Sequence, residues 1–86
     1  MKLADLNRPC LCWGPGMIPK PQLHIATAGD AHRAINLLEW SAVNGQWLGR
    51  TELSGSDNYR EFDYEKETLP KGCVLPKAFE YLATKP

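Results

Sequence analysis

The sequence predicts an α+β fold: a small antiparallel sheet of three to four strands, one longer helix at about residues 30–44, and a short C-terminal helix at about 76–83. Two helical patterns with start or stop signals, and several stretches that alternate apolar and polar residues, predict it. A chain of 86 residues has room for a single domain, 1–86, with one modest core. Its first 20 residues are rich in Pro and Gly and are expected to be irregular.

The segment 29–45 carries the clearest helical signal. Asp30 can cap the helix N-terminus, because its carboxylate accepts free backbone N–H groups and faces the positive end of the helix dipole. Gly45 fits the position after the last helical turn, where a residue without a β-carbon adopts the left-handed conformation at little cost. The apolar residues on one side of the helical wheel are Ala31, Ala34, Ile35, Leu38 and Ala42. This stripe predicts a helix that packs against the sheet.

Trp40 lies on the opposite side of the predicted helix, near Arg33 and Asn36. Two interpretations are open. The N-terminal segment 11–18 could fold over this side and bury the indole, because most large aromatic side chains are mostly buried. Alternatively, the three residues form a partner-binding face, because Trp and Arg are enriched at binding hot spots.

Alternation of apolar and polar residues predicts the strands. Residues 22–27 and 46–53 alternate clearly, and Cys10 to Trp13 is at best a short edge strand. Residues 60–65 are expected to return antiparallel to 46–53 as a hairpin, because a short polar loop joins the two segments. The C-terminal helix follows Pro76, a favoured residue in a first helical turn.

The predicted strand 60–65 carries three acidic residues at alternate positions, Glu61, Asp63 and Glu65. On a regular strand their carboxylates would form a row on the solvent face, spaced by roughly 6.6–6.8 Å. Such a row is typical of an ordinary polar face that protects an edge strand from aggregation. It could also dock a basic surface of a partner protein, where complementary charge speeds association and fixes orientation.

Composition argues against several classes of function. Ten basic and ten acidic residues balance, so the chain lacks the excess of Lys and Arg that nucleic-acid binding requires. The charged and polar N-terminus holds no continuous apolar stretch for a signal peptide, and no run is long enough to span a membrane. We therefore expect a soluble, cytoplasmic protein that binds neither nucleic acid nor membrane.

The three cysteines, Cys10, Cys12 and Cys73, cannot all pair within one chain, and without an export signal they are expected to be reduced. Their spacing does not match a structural zinc site, which usually sets two ligands two to four residues apart. The sequence therefore predicts no metal and no cofactor. No Ser, Cys or carboxylate stands at a motif spacing from a histidine, so no catalytic residue is predicted.

Two hypotheses for function follow. The first is a small non-catalytic interaction module, such as an inhibitor, adaptor or accessory factor, that binds a protein partner through Glu61, Asp63 and Glu65. The face formed by Arg33, Asn36 and Trp40 could contribute to this binding. The second is a small-ligand-binding or catalytic domain whose pocket, completed by homodimerisation, is lined by Trp13, His24 and Cys10.

Overall fold

The computed structural model describes residues 6–16, 20–27, 34–53 and 58–85. These residues form one antiparallel sheet and a C-terminal 3-10 helix, Lys77–Ala83. The strands are β1 Cys10–Gly14, β2 Gln22–Thr27, β3 Ala34–Ser41, β4 Gln46–Leu53 and β5 Arg60–Glu61. Their order across the sheet is β4-β3-β2-β1-β5, so each of the first four strands pairs with the next along the chain. The strands predicted at 22–27 and 46–53 are confirmed.

The predicted α+β class is wrong, because the segment expected as the longer helix contains strand β3. Residues 30–33 of that prediction lie outside the described residues. Both faces of β3 are covered: Ile35 and Leu37 are buried on one face, and Trp40 is buried on the other. Apolar residues therefore occur at odd and even positions, which produces three- and four-residue spacings that imitate a helix.

Gly45, expected to end the helix, instead completes the turn of the β3–β4 hairpin. It has a φ of +64°, a conformation that glycine adopts readily, and its N–H donates a hydrogen bond to the Ser41 carbonyl at 2.8 Å. The same stop signal thus serves a hairpin and a helix equally well. At the C-terminus, the short predicted helix is of the tighter 3-10 type and begins after Pro76.

The last strand pairs differently from the prediction. β5 does not form a hairpin with β4 but lies beside β1, with Cys12 opposite Glu61. As a result, β1 is an interior strand rather than an edge strand. β5 ends at Glu61 because the chain turns at Asp63, whose carboxylate accepts hydrogen bonds from the backbone N–H groups of Glu65 and Lys66.

The sheet has a buried core on each face. We call the first the Trp40 face; the segment 62–85 covers it, and its buried side chains are Leu11, Leu23, Ile25, Trp40, Phe62, Leu75 and Leu82. We call the other the Tyr59 face; its buried side chains are Cys12, Ala26, Ile35, Leu37 and Tyr59. The Tyr59 ring lies so close to the backbone of Gly14 that a β-carbon at position 14 would overlap it. Gly14 therefore permits Tyr59 to pack on this face.

Candidate functional site

The residues proposed for a shared pocket do not lie together. His24 and Cys10 are on the Tyr59 face, whereas Trp13 is on the Trp40 face, opposite Leu23. The Trp13 ring stacks on Phe62 with centroids 6.3 Å apart, and the Arg60 guanidinium lies 5.8 Å from the Trp13 ring centroid. The sheet itself thus separates Trp13 from His24 and Cys10.

His24 belongs to a buried polar network on the Tyr59 face. Its Nε2 lies 3.2 Å from Oε1 of Glu39, and the Arg50 guanidinium lies 3.5 Å from the same oxygen. Arg50 also donates hydrogen bonds to the Tyr59 hydroxyl and to the Pro15 carbonyl, each at 2.7 Å. The Tyr59 hydroxyl in turn donates to the Glu52 carboxylate at 3.1 Å. These hydrogen bonds and ion pairs therefore connect side chains on β2, β3 and β4 with Tyr59, the residue that precedes β5.

Burial dominates the electrostatics of this network. It lowers the pKa of His24 below the ordinary 6.5, with a smaller contribution from the Arg50 guanidinium, while the Glu39 carboxylate acts in the opposite direction. Burial also raises the pKa of Tyr59 to about 12. At neutral pH the imidazole is uncharged and the phenol keeps its proton. His24 is 0% exposed and Glu39 4%, so these groups contact other side chains and not solvent.

The lowered pKa of His24 predicts a specific pH dependence of stability. Below pH 6.5 the unfolded chain binds a proton at His24 more readily than the native state does. The free energy of unfolding should therefore fall as the pH falls. Urea unfolding at several pH values between about 5.5 and 7.5 measures this slope. His24→Gln, which cannot titrate but can still donate to Glu39, should flatten the slope. An unchanged slope in that variant would contradict the prediction.

The two N-terminal thiols lie side by side on the Tyr59 face. A hydrogen bond between them lowers the pKa of Cys10 and, together with burial, raises that of Cys12. Cys73 packs against the other core, and burial raises its pKa. Within 6–16, 20–27, 34–53 and 58–85, no three His, Cys, Asp or Glu residues are grouped so that they could hold a metal ion.

The three predicted acidic residues are not aligned along one strand. Glu61 is on β5, Asp63 is half-buried in the turn that follows, and the Glu65 carboxylate lies 3.7 Å from the Lys85 ammonium. A fourth carboxylate, Glu67, accepts two hydrogen bonds from Arg60 at 2.9 and 2.8 Å. Those bonds, and one from a backbone N–H, lower the pKa of Glu67 to about 2. Much of the local negative charge is therefore engaged within the chain.

The residues predicted for a helical binding face have different surroundings. Trp40 is only 6% exposed and packs against Trp47, with ring centroids 5.5 Å apart. It belongs to the same buried cluster as Leu75 and Leu82 of the C-terminal segment and Leu11 of β1, and residues 17–19 of the N-terminal segment lie outside the described residues. Asn36 is exposed on β3. Arg33 lies outside the described residues.

An open groove of about 350 Å³ lies on the Trp40 face, beside Asn36. Its floor consists of two rows of cross-strand neighbours, and the 3-10 helix contributes one wall through Phe79. We call the first the apolar row: Gly49, Leu38 and Ile25. We call the second the polar row: Thr51, Asn36 and Thr27. Both rows begin on β4 and run inward across β3 to β2.

β4, where both rows begin, is an edge of the sheet. In the part of the chain that the structure describes, it pairs with β3 and with no strand on its other side. Every residue from Gln46 to Glu52 is exposed or half-buried, whereas four consecutive residues of β2 are buried. An edge strand presents unpaired N–H and C=O groups that can pair with another chain. The edge and the groove together form the candidate site.

Sequence reasoning identified Asn36 in this site and missed the other residues. One signal was present: Gly49 interrupts a strand pattern, and a glycine within a strand often marks a place where another group approaches closely. The rows themselves depend on the register of three strands, which is not visible in the sequence once β3 is taken for a helix.

Across the described ranges, no helix combines the length and the apolar character needed to cross a membrane. The chain matches no protein-family model, no curated protein and no solved structure.

Proposed function

We propose that this protein is a small non-catalytic interaction module that accepts an extended segment of a partner protein at the free edge of β4. One observation carries the proposal: an eight-residue edge strand, whose residues 46–52 are exposed or half-buried, lies directly beside a groove. In strand addition, main-chain hydrogen bonds provide affinity and pockets for alternate side chains provide specificity. The β4 edge and the groove supply these two elements.

The states of His24 and Tyr59 support a non-catalytic role for the buried network. A general base must reach the proton that it removes, and the imidazole of His24 is 0% exposed beneath Tyr59 and Glu39. The phenol of Tyr59, with its pKa raised to about 12, keeps its proton at neutral pH. The network instead stabilises the strands that present the edge.

A cytoplasmic location is part of the proposal. The three cysteines form no disulfide, and reduced thiols are usual in the cytoplasm. Partner capture would then occur in the compartment where the chain is made.

A photo-crosslinking experiment tests the proposal. A benzophenone amino acid is introduced in place of Gln46, which is exposed on β4, and in place of Lys71, which is exposed in the C-terminal segment, as the matched control. Both variants are expressed in the native cells, and crosslinked proteins are identified by mass spectrometry. We expect a defined partner from position 46 and not from position 71. That partner is then purified, and amide hydrogen exchange is measured with and without it.

Binding at the edge should slow exchange in residues 46–53, because the outward N–H groups of β4 gain acceptors. Equal crosslinking from both positions, or unchanged exchange in β4, would rule out the edge as the binding site. Crosslinks only to a second copy of the chain would instead favour the homodimer hypothesis and overturn the proposal of a different partner.

A further inference from the structure

The thiols of Cys10 and Cys12 lie next to each other on the Tyr59 face and share a hydrogen bond. We propose that their two sulfur atoms form a binding site for a soft monovalent cation, of which Cu(I) is the biological example. Thiolate sulfur is the ligand that selects Cu(I), and two thiolates complete the linear coordination that this ion accepts. The site is on β1, separated from β4 by two strands, so the inference does not depend on strand addition.

The backbone of β1 sets the distance between the two cysteine side chains. They are alternate residues of a strand that pairs with β2 without interruption, Cys10 with Ala26 and Cys12 with His24. Alternate side chains of an extended strand are spaced by roughly 6.6–6.8 Å. A disulfide requires β-carbons about 3.5–4.5 Å apart, so it could form only if β1 were distorted.

A bridging cation fits the same spacing without distortion of the strand. A metal–thiolate bond is roughly 2.3 Å long, so a linear bridge holds its two sulfur atoms about 4.6 Å apart. Side chains of the same face can reach this separation by small rotations about their Cα–Cβ bonds. The geometry of β1 therefore suits a shared cation better than a disulfide.

The sheet places the two thiols in different surroundings. Cys12 is 0% exposed, with β2 on one side and β5 on the other. β5 ends at Glu61, opposite Cys12, so within the described ranges no β5 residue pairs with Cys10, which is half-buried. A cation from solvent can therefore bind Cys10 first and then Cys12, where protein atoms exclude water.

Binding exchanges protons for the metal ion and transfers no electron. Cu(I) forms one bond to each sulfur atom, and the two thiols release two protons to solvent. Zinc has different requirements, because Zn²⁺ in structural sites is held by four ligands. In the part of the chain that the structure describes, no third His, Cys, Asp or Glu is grouped with the two thiols. Two ligands suffice for Cu(I), and its selection over Zn²⁺ is therefore part of the proposal.

Competition with a coloured chelator tests the proposal with the intact protein. Under anaerobic, reducing conditions, Cu(I) alone is titrated into mixtures of the protein and bicinchoninate, whose copper complex absorbs visible light. We expect the wild type to withdraw one Cu(I) per chain. Cys10→Ser and Cys12→Ala each keep one thiol of the pair, and both should bind at least about a hundredfold more weakly, because two linked ligands exceed either one by about 10²–10⁴.

Cys73→Ser is the matched control, because Cys73 packs against the other core, and its Cu(I) affinity should equal that of the wild type. Thermal midpoints without metal report on the folding of each variant, and Cys10→Ser changes only a half-buried side chain. One equivalent of Cu(I) should raise the midpoint of the wild type, because a ligand that binds the native state stabilises it. X-ray absorption should find two sulfur neighbours for each copper ion.

Several results would overturn the inference. The wild type could leave Cu(I) with the chelator, or a folded Cys10→Ser variant could bind Cu(I) as tightly as the wild type. Loss of binding in a folded Cys73→Ser variant, or a midpoint that does not rise with Cu(I), would show that the native pair is not the site. Equal affinity for Zn²⁺, measured with a zinc-responsive chelator, would remove the selection for a soft monovalent cation.

Discussion

Replacement of Trp40 by alanine is expected to lower the free energy of unfolding by about 3–5 kcal/mol. The indole is 6% exposed, packs against Trp47 and shares one buried core with Leu75 and Leu82, so truncation leaves a large cavity in that core. Small domains are stable by only about 5–15 kcal/mol, so the variant should be close to unfolding at room temperature. Urea denaturation followed by circular dichroism measures the loss.

Val43→Ala provides the control for Trp40→Ala. Val43 is 88% exposed at the hairpin turn, so its replacement should change stability by no more than about 0.5 kcal/mol. A Trp40→Ala variant with wild-type stability and lost partner binding would show that Trp40 acts as an interface anchor. That outcome would contradict the packing of the Trp40 face.

Tyr59→Ala is expected to be comparably severe, with a loss of about 3–5 kcal/mol. The Tyr59 ring is 1% exposed, packs edge-on against His24 with centroids 5.4 Å apart, and fills the space above Gly14. Its hydroxyl bonds Arg50 and Glu52, which are both on β4. Loss of the side chain therefore removes packing from the Tyr59 face and a polar link to β4 together.

Tyr59→Phe separates these two contributions. It keeps the ring and removes the hydroxyl, so the expected loss is about 1.5–3 kcal/mol, the range for hydrogen bonds to charged groups. Thermal unfolding of both variants gives the comparison. If the phenylalanine variant were as stable as the wild type, the hydroxyl would add nothing; if it matched the alanine variant, the ring would add nothing.

The sequence predicted strands correctly where the alternation is regular. β2 and β4 were found because apolar and polar residues alternate along each of them. Ile35 and Leu37 pack into one core, while Leu38 and Trp40 pack into the other. The resulting spacing of apolar residues resembles that of a helix, and β3 was therefore predicted as a helix. Burial on two faces depends on what covers each face, here Tyr59 and the segment 62–85, and that information is not local to β3.

The candidate site was less predictable than the strands. Asn36 was singled out for its place beside Trp40, yet it belongs to the site because Thr51 and Thr27 flank it in the polar row. The register that aligns these rows is a tertiary property. The acidic row was predicted on a strand through residue 65, but the turn at Asp63 ends that strand early. The hydrogen bonds from the backbone to the Asp63 carboxylate therefore end the strand, although the alternation of apolar and acidic residues continues.

The order of the strands also has a consequence for synthesis of the chain. β1 to β4 pair with their immediate neighbours, so this part of the sheet can form as each hairpin leaves the ribosome. The last contacts to form are those of β5 with β1, and those of Leu75 and Leu82 with the Trp40 face. Until then, the nascent chain exposes an apolar sheet surface to solvent. We therefore expect truncated chains that end before residue 75 to recruit chaperones or to aggregate.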